Sequence, residues 1–141
     1  MSYLIELEQG LMMKKSLKYA LIGPGRMGIN YASIIQKQSN NSLVAICGNR
    51  KKSTIKRTSD FSVPLYFNGD WKSMFDDHPE IDCVIIASPE WEHFEPFNYC
   101  VANNKKVILE KPVAINSKQI QSMKKLAFSK NQNSIAVCFT S

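Results

Sequence analysis

Short apolar runs recur along the chain at near-regular intervals: LKYALI (17–22), LVAIC (43–47), VPLYF (63–67), DCVIIA (82–87), KVIL (106–109) and SIAVCF (134–139). Each is nearly continuous rather than alternating, as expected of parallel strands covered on both faces. The segments between them have helical length. Met27, Tyr31, Ile34 and Ile35 fall at i, i+4, i+7 and i+8 and form one apolar stripe. NGDWKSMFDD predicts a short helix with Asp70 as its N-cap, and PEWEHFEPFNYCVANN predicts a longer one with Pro96 in its early part. NSKQIQSMKKLAFSK opens on a cap, Asn116 or Ser117, and sets Ile120, Met123, Leu126 and Ala127 on one face. This repeated strand, helix, strand order implies an α/β fold, a doubly wound parallel sheet of about six strands with right-handed crossovers.

Length and composition narrow the classes. A chain of 141 residues suits one domain, and 44% hydrophobic with 21% charged residues excludes a disordered or fibrous chain. The apolar runs are far shorter than the roughly 20 residues a membrane span needs. The opening MSYLIELEQGLMMKK carries acids where a secretory leader carries bases, so residues 1–15 are set outside the fold as an extension. A misplaced start is the other reading, since MKKSLKYALIG from Met13 looks like a natural beginning. Residues 16–141 form the folded domain.

Cys47, Cys83, Cys100 and Cys138 lie far apart with no C-x-x-C pair, which reads as small core residues in a reducing compartment, hence the cytoplasm, and gives no metal site. The net charge of +6 favours anionic ligands in general. The cations are dispersed, without the interleaved aromatics of a single-strand binder, so neither nucleic acid nor membrane is an expected partner.

The chemistry begins at LIGPGRMGINYA (21–32). Gly23, Gly25 and Gly28 form a G-x-G-x-x-G motif between a strand-like run and an amphipathic helix, the setting in which the motif cradles a dinucleotide. Gly23 makes the tight turn, Gly25 lets the backbone approach a pyrophosphate, and Gly28 lets the helix pack on the strand. Exposed amides at the helix start, those of Arg26 and Met27, would hold the anion. About 20 residues on, where an acid usually meets the adenosine ribose of NAD, the chain has Gly48, followed by Asn49 and Arg50. A missing acid and a guanidinium fork favour a 2′-phosphate, so NADP is expected, with NAD as the alternative. Lys51, Lys52, Lys56 and Arg57 read as a solvated helix face.

Two further stretches, IDCVIIASPEWEH (81–93) and NNKKVILEKPVAI (103–115), join the glycine motif in a pattern that resembles the amino-terminal, Rossmann-fold domain of the Gfo/Idh/MocA (glucose-fructose oxidoreductase and inositol dehydrogenase) family, from about Leu17 to the end. The resemblance implies that Ser88 and Pro89 stand at a Thr-Pro position beside the nicotinamide, that His93 matches a histidine at the start of the next helix, and that Trp91 covers the pocket mouth. It implies that Lys111 is catalytic, stabilising charge at the reacting hydroxyl, with Glu110 supporting it or the nicotinamide ribose and Pro112 fixing the turn, through a cis bond in one form.

The family continues into a second domain that binds substrate and mediates oligomers, and Ser141 falls where the first domain's last strand should end. A domain cut from a longer protein and a natural truncation both fit. The expected function is the nucleotide-binding part of an NAD(P)-dependent dehydrogenase acting on a sugar, cyclitol or related polyol, a homo-oligomer being possible. The alternative is a non-catalytic NAD(P)-sensing regulatory module.

Overall fold

The computed structural model describes residues 16–130 and, as backbone, 135–138. The expected extension over residues 1–15 and the side chain of Cys138 lie outside the described residues. Among the described residues there are six strands: β1 (Lys18–Ile22), β2 (Ser42–Cys47), β3 (Leu65–Tyr66), β4 (Cys83–Ile86), β5 (Lys106–Glu110) and β6 (Ile135–Cys138). They lie in the order β3-β2-β1-β4-β5-β6, and every pairing is parallel. The helices are α1 (Arg26–Gln36), α2 (Lys51–Arg57), α3 (Trp71–Asp77), α4 (Phe94–Ala102) and α5 (Ser117–Ser129).

Alternation along the buried strands divides the core in two. Tyr19, Leu21, Ile46, Cys83, Ile85 and Ile108 face the cover made by Tyr31, Ala32 and Ile35 of α1. Their neighbours Ala20, Ile22, Ala45, Val84, Ile86, Val107 and Leu109 face Met74 and Phe75 of α3, Phe97 and Cys100 of α4, and Met123 of α5. Both sheet faces are therefore apolar, which is why the strands read as continuous hydrophobic runs.

Two elements depart from the sequence reading, both at prolines. The run 63–67 pairs only at Leu65–Tyr66, at the sheet edge. Pro64 has no N–H for the ladder, though its carbonyl accepts from Ile46, and Asn68 and Gly69, both at positive φ, turn the chain away. The helix expected from Pro89 onward divides into a 3₁₀ turn (Glu90–Glu92) and α4. A continuous helix from Glu90 would place Pro96 in its interior; beginning at Phe94 puts the proline in the first turn, where no N–H is required. Asp70 caps α3, accepting from the Ser73 amide at 3.2 Å, and Asn116 rather than Ser117 caps α5, accepting from Gln119 at 2.8 Å.

Cys47, Cys83 and Cys100 are buried thiols. Burial pushes the Cys47 thiol up to about 12, with the charges of Asp70 and Glu92 adding to it; burial also pushes Cys100 up to about 12, against a smaller opposing effect of Lys105. The folded chain keeps these protons after the unfolded chain, at about 8.5, has released them. This contribution to stability is therefore intact below that value and declines as pH rises toward 12. Iodoacetamide at pH 8 followed by peptide mapping should modify neither Cys47 nor Cys100 in the native chain and both in urea, because roughly one thiol in ten thousand is ionised when folded.

Candidate functional site

At the carboxyl end of β1 the chain turns at Gly23, whose φ is +95°. A Cβ there would also lie 2.3 Å from the Ser88 amide nitrogen, so the β1 and β4 ends can approach this closely only with glycine at 23. A Cβ on Gly28 would lie 2.1 Å from the Gly23 carbonyl oxygen, which shows how tightly α1 seats on the strand end. Gly25, the N-cap of α1, is different: its φ of −77° is ordinary, and within 4 Å an added Cβ would meet only Arg57 Nη1, at 3.7 Å. No side chain caps α1, and Ile29 N–H donates to the Gly25 carbonyl. The Arg26 and Met27 amides consequently have no acceptor within the helix, and the helix dipole adds partial positive charge where they stand.

These features open into a groove of about 1120 Å³ across the carboxyl edge of the sheet, lined by Gly23, Gly25, Arg26 and Met27. It lies where β1 separates the half wound toward β3 from the half wound toward β6, the switch point at which open α/β sheets take ligands.

On the β2 side, Asn49 and Arg50 line the groove. A Cβ on Gly48 would lie 2.0 Å from Oγ1 of the buried Thr54, so an acid at this position would require Thr54 to leave. Arg57, read from the sequence as part of a solvated face, in fact lines the groove. The missed signal is a polar stripe, Arg50, Ser53, Thr54 and Arg57, at i, i+3, i+4 and i+7, which turns one face of α2 to the cleft.

On the β4 side, Ser88, Pro89, Glu110 and Lys111 line the groove. Ser88 Oγ is buried without a hydrogen-bond partner. Tyr31 of α1 donates to Glu110 Oε2, joining the glycine-rich helix to the end of β5. Lys111 is exposed, and its bond to Pro112 is cis. Trp91, 63% exposed, stands on the rim.

His93 departs from the sequence expectation. It is 1% exposed and stands back from the groove lining. Nε2 lies 2.6 Å from the Ser88 carbonyl oxygen and Nδ1 3.1 Å from that of Val113, so the ring ties the loop after β4 to the loop after β5. Both nitrogens face backbone carbonyls, of which a neutral ring donates to one at a time, and the ring lies behind the groove wall rather than in it.

A dinucleotide fits these residues. The bare cradle at Gly25, the unsatisfied α1 amides and the orphaned Ser88 hydroxyl suit a diphosphate flanked by polar ribose groups. Among the described residues no group of His, Cys, Asp and Glu could hold a metal ion, and no helix is long and apolar enough to cross a membrane.

Residues 17–138 match the GFO_IDH_MocA family, described as an oxidoreductase family with an NAD-binding Rossmann fold. The chain is 26% identical over 109 residues to 2,7-anhydro-N-acetylneuraminate hydratase of Mediterraneibacter gnavus, a match covering 77% of this chain and 28% of that protein. Among solved structures, myo-inositol 2-dehydrogenase from Lactobacillus plantarum superposes with a TM-score of 0.76 at 26% identity, over 88% of this chain and 36% of that one. Biliverdin reductase from Synechocystis, solved with biliverdin and NADP+, gives 0.74 at 25% identity over 86% and 37%. The chain thus spans between 28% and 37% of the length of these relatives.

The glycines separate fold from binding. Gly28→Ala should lower stability by about 1–3 kcal/mol in urea denaturation, because its Cβ overlaps backbone. Gly25→Ala should leave the urea midpoint nearly unchanged and weaken nucleotide binding at least tenfold by calorimetry, because its Cβ enters only the open cradle.

Proposed function

Because the chain belongs to the Gfo/Idh/MocA oxidoreductase family, we propose that it is the nucleotide-binding domain of an NADP-dependent enzyme that oxidises or reduces a sugar, cyclitol or related polyol in the cytoplasm. The observation that carries this reading is one groove holding both the open cradle at Gly25 and, on its far wall, Glu110 and Lys111. Substrate binding and oligomeric contacts belong, on this reading, to a second domain like that which makes up the rest of the family's length.

When bound, the nicotinamide supplies hydride exchange, and the protein supplies position and charge. The Arg26 and Met27 amides hold the diphosphate at the positive end of α1. Asn49 and Arg50 meet a 2′-phosphate, and the closed position at Gly48 keeps an acid off the end of β2 itself. Arg57, close to Gly25, adds a second guanidinium to that end of the groove. Ser88 and Pro89, with Glu110, bound the nicotinamide end. Lys111, at the mouth, would bring an ammonium group beside the reacting hydroxyl and stabilise the negative charge that builds on its oxygen. Burial of the three described thiols without disulfides suits a reducing compartment.

Calorimetric titration of the chain should find NADPH binding tighter than NADH, and Arg50→Ala should weaken NADPH roughly tenfold while changing NADH much less. Tighter NADH binding by the unmodified chain would refute the phosphate assignment. In the enzyme carrying both domains, Lys111→Ala should lower kcat by at least about a hundredfold with nucleotide Kd within a few-fold. Unchanged turnover would remove the catalytic assignment.

A further inference from the structure

Asn49 stands directly after β2 and Glu92 in the 3₁₀ turn after β4, and β1 lies between those strands. Asn49 Nδ2 nevertheless donates to Glu92 Oε1 at 2.7 Å and Oε2 at 2.9 Å. The contact crosses the groove from wall to wall, over two strand spacings, or about 9–10 Å of sheet. Both residues line the groove, and the corner at Gly23 lies between their strands.

We propose that Glu92 is a cofactor-specificity residue: its carboxylate competes for the anion position on Asn49 and so moderates the preference for a 2′-phosphate that Arg50 and Arg57 create. Gly48 cannot carry an acid beneath Thr54, and Glu92 brings one to the same end of the groove from a different strand. A carboxylate so placed accepts hydrogen bonds from an unmodified ribose and repels a phosphate. Its charge reaches the groove floor, where it contributes to holding the Cys47 thiol protonated. Asn49 is a suitable arbiter because its backbone is fixed, the carbonyl accepting from Asn68 N–H at 3.0 Å. Its amide then has one acceptor to choose: Glu92, or a phosphate oxygen with Arg50 beside it. Glu92 is half-buried and exchanges this one contact for water when released. The proposal rests on the reading that the adenosine end of the cofactor lies over Asn49 and Arg50.

Titration of NADPH and NADH into the unmodified chain, Glu92→Gln and Glu92→Lys tests it. The ratio of NADPH to NADH affinity should rise about tenfold in the Gln variant, which removes the charge but keeps the shape, and further in the Lys variant, which reverses it. A ratio that stays the same or falls in both variants would overturn the proposal. The unmodified chain is read separately: if it prefers NADH while the ratio still rises in the variants, the NADP assignment fails and Glu92 remains the specificity residue. No binding of either nucleotide to any of the three chains would overturn both.

Discussion

The contact between Gly23 and the backbone of Ser88 is the constraint on which the groove depends. It brings together the ends of two strands whose chains then leave toward opposite faces of the sheet, β1 into α1 and β4 into the loop before α4. A side chain between them would wedge the strand ends apart at the point where the first helix must begin. Because the corner is bare, the end of α1 sits low over the sheet edge, and its amides reach the space in front of β1. Gly28 serves the same purpose from the helix side, and the apolar stripe of Tyr31, Ala32 and Ile35 holds α1 in that position.

The charges around the groove are sorted by strand. Arg26, Arg50 and Arg57 come from the elements that follow β1 and β2, whereas Glu92, Glu95 and Glu110 come from those that follow β4 and end β5, with Lys111 beyond them. A ligand with phosphates at one end and a hydroxylated, less anionic group at the other matches this gradient in one direction only. The same sorting explains why Asn49 and Glu92 meet: a donor on the cationic wall finds an acceptor on the anionic one.

Much of this was legible before any coordinates. Strands covered on both faces leave uninterrupted apolar runs, and five of the six runs matched strands to within one residue at each end; the exception, at Pro64, is an edge strand shortened to two residues by its missing donor. The glycine corner was legible because each glycine answers a local steric demand. What could not be read was whatever depends on contacts distant in sequence. His93 looks like a pocket residue in one dimension, yet the carbonyls that hold it belong to Ser88 and Val113, five residues back and twenty ahead. Glu92 gave no signal because its partner lies 43 residues away. Arg57 had a signal, the spacing from Arg50, that was masked by the lysines around it.

The His93 ring has a mechanical consequence. It joins the peptide at Ser88 to the peptide at Val113, two residues beyond Lys111, across the top of β4 and β5. One rigid, fully enclosed heterocycle therefore sets the spacing between the place where a nucleotide would rest and the turn that presents the lysine. Loops held at a fixed spacing lose little conformational freedom when a ligand binds between them.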